Sequence, residues 1–179
     1  MIFTRLAIAG AWTVAPEPNR DQRGFFARIW CAEEFAARGL VSHAAQGSIS
    51  YNERKGTLRG LHFQAEPHGE VKLVRCTRGA IHDVILDLRP GSGTYLRHTA
   101  VELNEANRLT LYVPEGVAHG FQTLVDGTEV WYQMSAPYVP EAARGVRWDD
   151  PLFAIAWPHR PPIIIERDAA FPDFVPEGA

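Results

Sequence analysis

Between residues 72 and 134 the chain is a close succession of short strand-like runs, and that cadence limits the fold more than any other feature. Residues 72–78 alternate apolar and polar side chains, as a half-buried strand should. Residues 80–88 follow Gly79, and Pro90-Gly91-Ser92-Gly93 then reads as a turn. Further runs occupy residues 99–103, 108–113, 120–125 and 128–134, and Asp126-Gly127 between the last two is a hairpin signal. Turn residues at intervals of about 8–12 are the rhythm of an antiparallel sandwich or barrel. One helix is expected over residues 31–39, with Glu33, Glu34, Phe35 and Ala36-Ala37 at helical spacing and Gly39 as a stop. From Trp157 the chain is rich in proline (Pro158, Pro161, Pro162), and this tail is expected to wrap the body without adding regular structure. With no repeat, low-complexity tract or linker, the expectation is a single all-β domain over residues 1–179.

Composition narrows the partners. The 18 basic and 21 acidic residues leave a net charge of -3, which advertises neither nucleic acid nor an anionic membrane as a partner. A bound anion must therefore be held by a local cluster. Two cysteines, Cys31 and Cys76, in unrelated contexts make a disulfide framework or a structural zinc site improbable and suit a reducing cytoplasm. The N-terminal run lacks the pattern of a signal peptide, and no apolar stretch is long enough for a membrane-spanning helix, so a soluble cytoplasmic protein is expected.

Two segments carry chemistry. In Gly56-Thr-Leu-Arg-Gly-Leu-His-Phe-Gln64, Arg59 and His62 are three residues apart and fall on opposite faces of a strand unless a bulge intervenes. Taken alone, His62 is as well explained as a core histidine that only completes a hydrogen bond. Pro114-Glu-Gly-Val-Ala-His-Gly-Phe121 resembles the second half of the cupin signature. Cupins commonly hold a metal with a His-x-His and a Glu from the first half, but here that half reads His62-Phe63-Gln64 with no Glu at the short spacing. A transition metal needs three or four convergent ligands, so no metal is expected.

Several further motifs, in order along the chain, extend the likeness. They are Asp21-Gln-Arg-Gly-Phe-Phe-Ala-Arg28, Lys72-Leu-Val-Arg75, Arg78-Gly-Ala-Ile-His-Asp-Val84, Glu129-Val-Trp-Tyr-Gln133 and Arg144-Gly-Val-Arg-Trp-Asp-Asp-Pro151. Together with the two segments above, they resemble the dTDP-4-dehydrorhamnose 3,5-epimerase family from about Ala15 to Phe174. The resemblance implies a cupin-like jelly-roll β-sandwich with a few short peripheral helices. It also implies an isomerase without cofactor, acting on a nucleotide-linked 4-keto-6-deoxyhexose as a homodimer.

Epimerisation beside a ketone needs a base for the α-proton, a charge to hold the enolate oxygen and an acid on the opposite face. By resemblance His62 is the base, Asp168 orients it, Lys72 faces the C4 oxygen and Tyr132 reprotonates from the other side. The same likeness makes Arg59 a diphosphate clasp and His119 a sugar-pocket residue, and stacks Tyr138 on the base. Arg23, with Phe26 beside it, contacts the nucleotide across the dimer interface. Gln46 and Ser48 cover the stretch where many members have Gln-Asp-Asn, and Arg167 replaces a nearby Lys. Three positions depart from the family: Arg28 and Ala143 stand where many members carry a Glu, and Ser48 where they carry Asn. Inversion at both C3 and C5 is the family's commonest activity. A C3-only or C5-only epimerase on a dTDP-, CDP- or GDP-linked sugar uses the same residues, and these alternatives stay open. The rivals are a related 3,4-ketoisomerase, a non-catalytic sugar-nucleotide-binding cupin and a metal-dependent cupin.

Overall fold

Strands with one apolar face must bury it against another sheet, and here two antiparallel sheets do so face to face. The computed structural model describes residues 1–176; the last three residues of the expected domain lie outside the described residues. The strands are β1 (Ile2–Arg5), β2 (Trp12–Ala15), β3 (Asn19–Asp21), β4 (Gly24–Phe26), β5 (Gln46–Asn52), β6 (Leu58–Gln64) and β7 (Lys72–Arg78). Beyond these come β8 (Ala80–Asp87), β9 (His98–Asn104), β10 (Thr110–Val113), β11 (Val117–Thr123), β12 (Thr128–Met134) and β13 (Ala143–Gly145). One sheet has the order β1-β2-β10-β7-β12-β5, the other β13-β6-β11-β8-β9, and β3 and β4 form a separate hairpin. From β5 to β12 the chain passes repeatedly between the two large sheets, the winding of a cupin-like jelly roll.

The sandwich core joins Val74, Cys76, Leu111, Val113 and Val130 of the six-stranded sheet to Ile81, Ile85, Leu103, Val117 and Phe121 of the other. Both sheets are also covered on the outside. Helix α1 (Ala32–Ala36) presses Phe35 onto Val14, Leu73 and Tyr112. The segment from Val146 to Trp157 lays Phe153, Ile155 and Trp157 over Leu58, Val84, Leu86 and Ala118. Covering both faces explains why β11 is buried along its whole length instead of alternating.

Several expectations need correction. Asp126-Gly127 does form a turn, with Gly127 at φ +63°, but not a β-hairpin. Strand β11 pairs with β6 and β8 whereas β12 pairs with β5 and β7, so this turn crosses between sheets. The run at 108–113 begins as a strand at Thr110, because Arg108 sits in the left-handed region at φ +53°. Helix α1 is shorter than residues 31–39. Its last turn tightens through the Arg38 N–H to Phe35 and Gly39 N–H to Ala36 bonds, and Gly39 ends it at φ +69°.

The tail adds regular structure after all. Pro161 and Pro162 offer no N–H, so Ile163 is the next residue able to pair. It bridges Thr57, accepting from Leu58 N–H at 2.8 Å and donating to Gly56 O at 2.9 Å. That anchor delivers a second short helix, α2 (Glu166–Ala169), to the side of β6. Among the described residues no helix is long and apolar enough to cross a membrane.

Candidate active site

The condition set by the strand arithmetic is met at Gly60. Opposite β11, His119 faces His62 while Phe121 faces Arg59, so two residues of β6 (Gly60 and Leu61) stand where β11 has one (Gly120). This bulge turns Arg59 and His62 onto the same side, and both line one cleft of about 840 Å³ between the sheets. Glycine is required for it. Gly60 has φ +119°, and a Cβ there would collide with the backbone of Gly120.

The five-stranded sheet and α2 supply one wall. His62, with 34% of its side chain exposed, meets Asp168, which is 2% exposed, at 2.9 Å between Nε2 and Oδ1. The ring nitrogen is close to the carboxylate but not well aligned on it, so the contact is a short approach without a directional hydrogen bond. With Nε2 at the carboxylate, Nδ1 is the nitrogen left for a substrate. Asp168 also accepts from Arg167 Nε at 3.1 Å and from the Gly60 amide at 3.4 Å. Burial, the largest single influence, pushes its carboxyl up, but His62, the Gly60 amide and Arg167 together carry it below the usual carboxylate range. It therefore stays ionised beside the imidazole. Phe171 stands edge-on to His62 with centroids 6.2 Å apart, and it rests on Gly145, where no side chain would fit.

The six-stranded sheet supplies the opposite wall. Tyr132 on β12 is held well above the normal phenol range, first by burial and then by the charge of Asp83, with Arg59 opposing. The phenol is thus kept protonated, the form an acid needs. Lys72 on β7 donates to the carbonyl of His62 at 3.1 Å and pairs with Glu70 at 3.2 Å. Burial lowers the ammonium's pKa, with Glu70 and Asp83 opposing. Beside them lies a second pair, His119 Nε2 to Asp83 Oδ1 at 2.6 Å, and the His119 ring stands edge-on to Tyr132 at 6.0 Å.

Of the other expected residues, Gln46, Ser48, Arg59, Tyr138 and Arg167 line the cleft, as does Ala143. Arg59 is steadied by Nε donating to Asn52 Oδ1 at 2.8 Å, and Gln46 Oε1 accepts from the Tyr138 amide at 2.6 Å. Arg23, Phe26 and Arg28 do not line this cleft. Arg23 is bound to Asp21 on the β3–β4 hairpin, where Phe26 is 81% exposed, and Arg28 pairs with Glu34 at 3.2 Å. Gln64, where a metal-binding cupin would place a ligand, uses its amide on the backbone of His68, Pro137 and Val139. Among the described residues no three His, Cys, Asp or Glu side chains converge as a metal site.

Sequence reasoning assigned no role to Asp83, Glu70, Arg144 or Phe171. Asp83 left only a faint trace, as one of two carboxylates in the mostly apolar run 80–88. The others come from loops, from a short edge strand and from the tail, and no periodicity marks them.

Comparison with known proteins bears on the whole chain. Residues 5–175 match a family model described as dTDP-4-dehydrorhamnose 3,5-epimerase. A protein of that name from Sinorhizobium fredii (strain NBRC 101917 / NGR234) is 42% identical over 96% of this chain and 89% of its own. A Streptomyces niveus protein named dTDP-4-dehydrorhamnose 3-epimerase is 39% identical over 91% of this chain and 79% of its own. The crystal structure of dTDP-4-dehydrorhamnose 3,5-epimerase from Bacillus anthracis str. Ames, with TDP and PPi bound, superposes with a TM-score of 0.93. It is 36% identical and covers 97% of this chain and 99% of that one.

Proposed function

The chain belongs to the dTDP-4-dehydrorhamnose 3,5-epimerase family, and on that premise we propose that its cleft inverts C3 and C5 of dTDP-4-dehydro-6-deoxy-D-glucose, giving dTDP-4-dehydro-L-rhamnose. The observation that carries the reading is the pairing of walls: a His–Asp pair on one and a half-buried Tyr with a half-buried Lys on the other. The carbon beside the ketone can lose its proton to the base on one side, and the planar enolate that forms can gain one from the opposite side.

His62 removes the proton at C5 and then at C3, and Asp168 balances the imidazolium that forms. Lys72 offsets the negative charge that develops on the C4 oxygen. Tyr132 returns a proton to C5 from the far side, a water molecule on that same side supplies the new proton at C3, and solvent resets both groups. No step calls for a redox or metal cofactor, because the ketone itself acidifies the neighbouring C–H bonds. Arg59 clasps the diphosphate with its planar fork, Arg167 adds charge at the rim, and Tyr138 offers a ring to the base. Gln46, Ser48 and His119 complete the sugar and nucleotide contacts.

The same reading makes the protein a cytoplasmic homodimer. Arg23 and Phe26 stand on a detached hairpin away from their own cleft, which suits a partner's cleft. The edge strand β5 leaves Ile49 and Tyr51 more than half exposed, and pairing it with a second copy would cover both.

Incubation with dTDP-4-keto-6-deoxyglucose in D₂O, followed by NMR, tests the reading. Deuterium and inversion are expected at both C3 and C5, and both should vanish in His62→Ala while dTDP binding persists. Label and inversion at C3 alone would favour the activity named for the Streptomyces niveus relative. No label at either carbon would overturn the assignment.

A further inference from the structure

Glu70 faces the cleft, and the chemistry above gives it no work. It lies two residues before Lys72, just ahead of β7, and both side chains line the same cleft. Its Oε1 is 3.2 Å from Lys72 Nζ, and the two side chains are only 9% and 12% exposed. Nζ donates at the same time to the His62 carbonyl at 3.1 Å. An ammonium has three N–H donors; one is bonded to the His62 carbonyl, Glu70 pairs with the charge, and donor capacity remains for the cleft.

We propose that Glu70 is the positioning residue for Lys72, holding its ammonium charged and aimed at the site of the substrate's C4 oxygen. The inference rests on the epimerase reading for the identity of that oxygen, but the Glu70–Lys72 relation stands on geometry alone. A lysine removed from water tends to lose its proton, and a neutral amine would leave the enolate charge unopposed. Other charged or titratable groups line the same cleft: His62 and Arg59 from β6, His119 from β11, Tyr132 from β12, Arg144 from β13, and Arg167 and Asp168 from α2, while Asp83 of β8 adds its charge at Nζ. Among the described residues, Glu70 alone brings a carboxylate within ion-pair distance of Nζ.

The composition offers a direct readout. The chain has two lysines, Lys55 and Lys72, so protein labelled with ¹³C-lysine gives two Cε resonances. Lys72→Arg identifies which is which, and Lys55 serves as an internal reference. In Glu70→Gln the Lys72 midpoint should move to lower pH, while in Glu70→Asp it should stay nearer the original. Turnover should follow, with kcat of Glu70→Gln down roughly tenfold to a hundredfold, its alkaline limb moved to lower pH and KM changed less. A Lys72 midpoint unmoved in Glu70→Gln would overturn the proposal, and so would a moved midpoint with an unchanged kcat–pH profile. If the native protein lacked epimerase activity, that reading alone would fall, and the titration would still decide what Glu70 does to Lys72.

Discussion

His62 and His119 face each other across β6 and β11, each paired with an aspartate, yet their surroundings differ. Asp83 reaches His119 from the neighbouring strand of the same sheet, and the pair is sealed at 5% and 0% exposure. Asp168 reaches His62 from a short helix on the tail, and a third of the His62 side chain stays open to the cleft. The buried pair can brace Tyr132, set the field around it and present only an edge of His119 to the cleft. The open pair can exchange protons with a substrate. Accessibility, more than the identity of the two residues, separates the roles.

The comparison can be broken by removing each carboxylate in turn. Asp168→Asn should lower kcat by roughly 10²–10⁴ while leaving the fold and dTDP affinity nearly intact, because only the open imidazole loses its partner. Asp83→Asn should do the reverse, costing roughly 1–3 kcal/mol of stability and a smaller share of turnover. Equal losses of kcat at unchanged stability in both variants would erase the distinction. Thermal unfolding and steady-state kinetics on the two proteins suffice.

Tyr132→Phe sharpens the contrast between base and acid. With His62 intact, solvent deuterium should still enter at C5, while inversion at that carbon falls by about 10² or more. Loss of exchange together with inversion would mean that Tyr132 assists the base.

The smallest expected effect concerns a third carboxylate. Asp87, four residues along β8 from Asp83, has its pKa lowered from the ordinary 3.8 to about 2. Burial, the largest influence, opposes this, but bonds from Arg89, Ser92 and Thr94 outweigh it. Because the folded value lies below the unfolded one, its stabilisation is complete above about pH 4 and fades as pH falls towards 2. After allowance for solvent screening, Asp87→Asn should cost roughly 1–2 kcal/mol at neutral pH and almost nothing at the acid end of that window. An equal cost at both ends would rule out charge as its source.

Parts of the site were legible in advance because the chain itself writes them. Strand cadence marked most of the strands from β7 to β12, and the glycine-framed Arg59–His62 segment announced a bulge as the condition for joint action. Asp126-Gly127 misled as a hairpin, since a turn's local chemistry does not say which sheet the next strand joins. Glu70 and Phe171 stayed silent because loops and tails carry no period. Asp83 was hard to single out in a run whose second face is covered by the segment from Val146 to Trp157, a cover that local spacing does not reveal.

The order and type of side chains determined an all-β chain with a His, a Lys, a Tyr and an Asp able to move protons beside a ketone. Tertiary structure decided which of them meet. Local propensity acts over a few residues, whereas the His62–Asp168 contact spans 106 positions. It forms because two prolines end the tail's freedom, Ile163 docks on the backbone around Thr57, and Gly60 bends β6 to receive α2. Such closure comes from packing and backbone hydrogen bonds between distant segments, and these exist only once the sheets have stacked.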